Sequence, residues 1–223
     1  MNEQQHKVFE GLIKRLSTGE CPPDPVSDVP QDLGDETMRA LLYAMLRADA
    51  TSSQALNAIG RIHSAVVDTN ELRIAYPDEI AEMLGPRYPK VAERSERIRA
   101  VLCDVFRREH DLSLASLHEL PKREARSYLE GLEGIPHYAA LRVGLTVFSI
   151  HCVPVDERLG DALIAKGAFD EGCSTDEMSG SLERAVRAAD SLETVLRLED
   201  WADGSGGKSK RKGRPTGQTA KGR

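Results

Sequence analysis

The chain of 223 residues sets 30 Lys and Arg against 36 Asp and Glu, a formal net charge of −6, and is 40% hydrophobic but only 4% aromatic. That suits one large or one-and-a-half average domains around an aliphatic core. No apolar run reaches the roughly 18–20 residues of a membrane span. The best candidate, residues 139–155, contains Arg142 and His151, and the polar start from Met1 to Lys7 excludes a signal peptide. An intracellular, reducing setting, cytoplasmic (nucleoid-associated) or nuclear, is the expectation.

Val8, Phe9, Leu12, Ile13 and Leu16 predict a first amphipathic helix over 4–17, and Pro22, Pro23, Pro25 and Pro30 force a loop after it. Asp35 suits the N-cap of a second helix carrying Met38, Leu41, Leu42, Met45 and Leu46. The Thr51-Ser52-Ser53 run caps a third, with Leu56, Ile59, Ile62 and Val66 on one face. Pro77 opens a short helix that stops at Gly85-Pro86. A long helix follows from about Lys90 to Glu109, with Val91, Ile98, Val101, Leu102, Val105 and Phe106 facing inward.

Pro121 opens another helix, ending near Gly131, and residues 138–150 form one apolar nearly all round, which places it centrally. Beyond Asp156, Leu159, Leu163 and Ile164, then Leu182, Val186, Leu192, Val195, Leu196 and Trp201 mark weakly amphipathic stretches. Period-2 alternation is scarce and no repeat is visible, so the expected class is all-α. Cys21, Cys103, Cys152 and Cys173 lack any Cys-x-x-Cys spacing, which argues against a disulfide framework, a zinc site and an iron–sulfur cluster, and they read as thiols in or near the core. No metal or other cofactor is expected.

The segment from Leu132 to Asp156 carries the most specific pattern: Leu132, Gly134 and Ile135 before an apolar helix, Tyr138 and Ala140 within it, and Val155-Asp156 eighteen residues beyond Tyr138. It resembles the helix-hairpin-helix DNA glycosylase superfamily of endonuclease III and the adenine mismatch glycosylases, whose pattern is Leu-Pro-Gly-Val-Gly-Arg-Lys/Ser/Tyr-Thr-Ala with an Asp eighteen residues after the Lys position. Upstream, Leu41 to Thr51 is similar to that family's Leu-Leu-x-x-x-Leu-Ser-x-Gln-Ala-Thr segment. The resemblance covers roughly residues 36–200 and implies two helical subdomains around a cleft.

It also implies that Asp156 stabilises the positive charge that develops on a deoxyribose as its base departs, once that base has been swung out of the stack. Gly134, Ile135 and His137 would hold a phosphate of double-stranded DNA at the hairpin, and Asp49 stands where many members fill the gap left by the flipped base. Tyr138 occupies the catalytic Lys position. It cannot form a Schiff base, so base removal without strand cleavage is the expected chemistry, by a monomer. The geometry this requires is a carboxylate at the mouth of a groove, facing the strand that the hairpin clamps.

Other readings of the same residues stay open. Asp156 serves equally as a cap for the helix starting at Glu157, and Tyr138 as a packing residue whose hydroxyl reaches solvent or a phosphate. Glu133 and Pro136 replace the hairpin's Pro and second Gly, and Asp161 stands five residues after Asp156 where the family has Arg. These departures motivate the alternative of a non-catalytic, glycosylase-derived DNA-binding module.

Residues 1–35 are expected to pack on the main helical domain, 36–203, and 204–223 to form a disordered basic tail. That tail carries seven cations and no acid, leaving about −13 on the rest. Within it, Lys210, Arg211, Lys212 and Arg214 precede Pro215 in a run that resembles an AT-hook, which lies in a narrow A·T minor groove. Seven cations would in any case give salt-dependent affinity for nucleic acid.

Overall fold

A computed structural model describes residues 1–205, with side chains as far as Asp203. The described residues form eleven α-helices and four short 3-10 turns, with no strand among them. The helices are α1 (Glu3–Leu16), α2 (Glu36–Arg47), α3 (Ser52–Ala65), α4 (Thr69–Ile74), α5 (Pro77–Leu84), α6 (Val91–Glu109), α7 (Lys122–Glu130), α8 (His137–Phe148), α9 (Glu157–Ala165), α10 (Thr175–Ala185) and α11 (Ser191–Ser205).

Local chemistry sets most boundaries. Asn2 with Gln5, Thr51 with Gln54 and Ser174 with Glu177 form capping boxes, and Asp35, Asp68 and Asp156 each accept a hydrogen bond from a first-turn N–H. Pro77 takes the first turn of α5. Helix α8 stops at Ser149, in a left-handed conformation, and the N–H of Ile150 returns to Gly144 O.

Two hydrophobic clusters form. The first gathers α2 to α7 with one face of α8, around Met38, Met45, Ile59, Ile80, Ile98, Leu129 and Val143. The second joins α1 to the C-terminal helices through Phe9, Leu12, Leu141, Val153, Leu163, Leu182 and Leu198. Helix α8 contributes to both, with Ala139, Ala140 and Val143 on one side and Leu141 and Leu145 on the other, as its nearly all-round apolarity predicts.

Three details differ from expectation. Helix α4 lies in a segment whose pattern announces no helix. Phe106 is 37% exposed rather than inward, with the Arg73 guanidinium over its ring. Cys21 is exposed on the Pro-rich loop, whereas Cys152 is buried, its thiol on Leu141 O and pushed up by burial to about 12. No helix among the described residues is long and apolar enough to cross a membrane.

Candidate active site between the two clusters

The connection between α2 and α3 turns within Ala48, Asp49 and Ala50. Asp49 makes the turn at φ +62°, a left-handed conformation that Asp tolerates better than most residues. This points its backbone N–H at Asp156 Oδ2, 3.0 Å away, while the N–H of Glu157 donates to Asp49 Oδ1 at 3.1 Å. Asp156 thus holds the backbone of Asp49, and Asp49 holds that of Glu157, the residue after Asp156. Asp156 Oδ1 also accepts from Leu159 N at 2.8 Å, so the capping role read from the sequence is present.

Asp156 is only 5% exposed. Arg47, also buried, brings Nη1 to 3.5 Å from Asp156 Oδ2. Burial pushes the Asp156 carboxyl above its ordinary range, and Arg47 and the Leu159 N–H oppose that shift without cancelling it. In front of the pair, Lys90 Nζ bridges Asp49 Oδ2 at 2.9 Å and Glu157 Oε2 at 3.1 Å. The expected carboxylate at the mouth of an open groove is not found in this conformation: Asp156 is buried, with the linked Asp49, Lys90 and Glu157 side chains next to it.

Behind Asp156 a polar layer separates the two cores. Arg47 Nη2 reaches Asp203 Oδ1 at 3.0 Å, and Arg158 Nη1 reaches the same oxygen at 2.7 Å. Tyr138 donates its hydroxyl to Glu199 Oε1. Arg142 donates Nε to that oxygen at 3.1 Å and Nη2 to Asp24 Oδ1 at 3.0 Å, with its guanidinium over the Tyr43 ring. Burial raises the Glu199 carboxyl, but Arg142 and Arg47 outweigh it and hold the group below its usual range. Burial also lifts the Tyr138 phenol well above its usual value. That hydroxyl therefore does not reach solvent or a phosphate as the sequence suggested.

The hairpin lies between α7 and α8. Gly134 has φ +83°, and an added Cβ would stand 3.1 Å from Ala100 Cβ of α6. The buried Asp104 carboxylate accepts the Glu133 N–H at 2.8 Å and an ion pair from Arg108 at 2.6 Å, fixing the hairpin to α6. Ile135 packs against the first cluster. Pro136 is the N-cap of α8 and supplies no side-chain cap, so the first-turn N–H groups of His137 and Tyr138 have no capping partner. The His137 ring is half exposed, with Nε2 3.9 Å from Asp176 Oδ1.

The structure therefore brings Asp49 and Asp156 into direct contact, links Arg47 to Asp156 and to the carbonyl of Glu199, whose carboxylate accepts the Tyr138 hydroxyl, and places Gly134, Ile135 and His137 at the entrance to α8. Lys210, Arg211, Lys212 and Arg214 lie outside the described residues. A cavity of about 660 Å³ sits elsewhere, between α1 and the α10–α11 connection, lined by Phe9, Ile13, Leu16, Val186 and Arg197. A pocket of about 60 Å³ lies under the Pro-rich loop beside Ser52, Glu199 and Asp203. Asp156 lines neither. Among the described residues no group of three His, Cys, Asp or Glu side chains could hold a metal ion.

Sequence reasoning missed Arg47, Arg94, Arg142, Arg158, Glu199 and Asp203. A signal existed for two of them: Arg47 and Arg142 interrupt otherwise apolar helices, and a charge at such a position must find a buried partner.

No protein-family model and no curated protein sequence matches the chain. Solved structures do. A trapped endonuclease III–DNA covalent intermediate superposes with a TM-score of 0.61 at 14% identity, covering 88% of this chain and 85% of that one. The H. pylori 3-methyladenine DNA glycosylase bound to 1,N6-ethenoadenine gives 0.61 at 14% identity, covering 92% and 99%. The Methanocaldococcus jannaschii 8-oxoguanine DNA glycosylase gives 0.55 at 18% identity, covering 91% and 97%. With two helical clusters joined through the helix that follows a glycine hairpin, and with these neighbours spanning nearly its whole described length, the chain has the all-α fold of the helix-hairpin-helix DNA glycosylases.

Proposed function

We propose that the protein is a monomeric DNA glycosylase of base-excision repair, which hydrolyses the N-glycosidic bond of a damaged or mispaired base in double-stranded DNA and has no Schiff-base lyase step. The observation that carries this reading is Asp156. It caps α9 at the junction of the two clusters, eighteen residues after Tyr138, in a fold shared with DNA glycosylases.

As a base leaves with the bonding electrons, positive charge grows on the sugar. An ionised Asp156 would stabilise that charge and orient the water that completes hydrolysis. Arg47 and the Leu159 and Asp49 N–H groups favour its ionised form. The backbone N–H groups at the start of α8, with Gly134 and Ile135 setting the turn and His137 beside it, would hold a phosphate of the same strand. Tyr138 lacks the amine that a covalent sugar adduct requires, and its hydroxyl is committed to Glu199.

Catalysis requires the junction to open. The Asp49, Lys90 and Glu157 side chains across it are 19%, 37% and 50% exposed. Ion pairs this exposed are worth about 0–1 kcal/mol each, so DNA that supplies new contacts can displace them. The basic tail, with Lys210, Arg211, Lys212 and Arg214, would keep the acidic body near DNA in a salt-dependent manner.

Incubation with duplexes bearing uracil, alkylated, oxidised or mispaired bases tests the proposal: a free base is released, and Asp156→Asn abolishes release while leaving DNA binding in place. The burial of Asp156 against Arg47 supports a second reading, a DNA-binding module that has lost its chemistry. Under that reading binding persists, no base is released, and Asp156→Asn changes nothing.

A further inference from the structure

The side chain of Asp49 occupies a cage built for an anion. One carboxylate oxygen takes the Glu157 N–H at the start of α9, the other takes Lys90 Nζ, and Arg94 Nη2 stands 3.6 Å from that second oxygen. Arg94 is only 3% exposed, and its Nη2 has one hydrogen bond, to Ala48 O at 2.8 Å. Its Nε and Nη1 are buried with no hydrogen-bond partner. The guanidinium is thus only partly satisfied, at a cost in free energy, and the nitrogen that faces the Asp49 carboxylate is Nη2.

We infer that the Lys90–Arg94–Glu157 N–H cage is a binding site for a phosphodiester group of a nucleic-acid strand, which the carboxylate of Asp49 fills in the free protein. At the cage itself one negative charge replaces another, while the Glu157 carboxylate stays on Lys90 at 3.1 Å and the displaced Asp49 carboxylate must turn out to solvent, so the exchange is favoured only where duplex contacts elsewhere offset that added charge. The geometry also differs: the carboxylate is planar and leaves Arg94 Nη2 at 3.6 Å, beyond hydrogen-bond distance, whereas the tetrahedral oxygens of a phosphodiester spread more widely and suit three converging donors.

The place fits the reading above. The cage adjoins Asp156 through the Asp49 and Glu157 N–H groups, so a phosphate seated there would fix the strand beside that carboxylate in place of the Asp49 side chain. The hairpin before α8 is a separate element, so the two sites would hold different phosphates of one strand. This inference rests on the DNA-binding part of the proposed function and is independent of whether a base is released.

The test uses the full chain, a 15N-labelled sample and a lesion-free duplex, with inorganic phosphate as a second probe. Asp49→Asn removes the competing charge while keeping a residue at ease with left-handed φ, and Asp49→Gly does so without any side chain. In either folded variant, low-salt duplex affinity rises by about tenfold. The slope of log K against log salt steepens by about 0.9, the signature of one added phosphate contact. Duplex and inorganic phosphate both shift the Glu157 amide resonance saturably, and Lys90→Ala in the same background removes the shift and the gain.

A Glu157 amide that responds to neither probe overturns the inference. So does a gain in affinity that survives Lys90→Ala, which reports general loss of repulsion. A response to inorganic phosphate but not to duplex assigns the cage to a free anion and overturns the nucleic-acid claim. Absence of base release alongside a responding amide counts against the glycosylase reading alone.

Discussion

Arg47 and Asp156 face each other 3.5 Å apart at the junction of the two cores, both almost wholly removed from solvent. Burial favours the protonated acid, and the guanidinium favours the carboxylate. Burial wins, so the group titrates above its ordinary value of 3.8.

Base release that depends on an ionised Asp156 therefore rises with pH through a midpoint above the usual carboxylate range when followed as kcat/KM across pH 4–8, the quantity that reports the free, closed protein. Stability runs the other way. The native state holds this proton more tightly than the unfolded chain does, so the stabilisation present at acid pH declines as pH rises from the unfolded value through the raised native one. Asp156→Asn, which retains a good N-cap residue, flattens that decline in denaturation curves taken over the same range.

Glu199 carries the opposite sign. Arg142 and Arg47 hold its carboxyl low against the cost of burial, so its contribution to stability is present above the unfolded value and lost as pH falls through the depressed native one. Glu199→Gln leaves Arg142 with Asp24 as its remaining carboxylate partner. It should cost about 3–5 kcal/mol, the range for breaking a buried pair from one side. Urea unfolding at neutral pH measures that loss, and the variant's acid dependence should be shallower than that of the unaltered chain.

Gly134→Ala tests the hairpin. Its φ of +83° and the 3.1 Å approach to Ala100 Cβ leave little room for a methyl group. The substitution should destabilise the fold by about 1–2 kcal/mol from the left-handed backbone alone. It should also weaken duplex binding in the folded variant, by displacing the N–H groups at the start of α8. Fluorescence anisotropy with a lesion-free duplex, alongside a melting curve, separates the two effects.

Tyr138→Phe removes the hydroxyl that Glu199 accepts. A buried carboxylate short of one donor costs about 1–3 kcal/mol. Because that hydroxyl faces away from open space, the rate of base release per folded molecule should change little, which thermal unfolding and single-turnover kinetics together decide.

What could be read from the sequence was what is local. Asp35, Thr51 and Asp156 announce helix starts because a cap and the N–H it accepts lie three residues apart. The hairpin and the Tyr138–Asp156 spacing were legible as a pattern within one stretch of chain. The polar layer was not. Arg47 meets the Glu199 carbonyl across 152 residues and Asp203 across 156, and no periodicity encodes such pairings. The closure over Asp156 was hidden for the same reason. Asp49 looked like a substituted gap-filling residue, and only the approach of Lys90 and Glu157 shows its carboxylate held inward. Helix α4 escaped because its six residues bury only Thr69 and Leu72, too short a stripe to stand out.

The most direct test of the account is release of free base from a panel of lesion-bearing and mismatched duplexes by the full chain and by Asp156→Asn, with duplex affinity followed in parallel. The account predicts release from at least one lesion, no strand cleavage and no borohydride-trapped adduct, and loss of release but not of binding in the variant. Binding without release from any lesion, or release that is unchanged in Asp156→Asn, would contradict it.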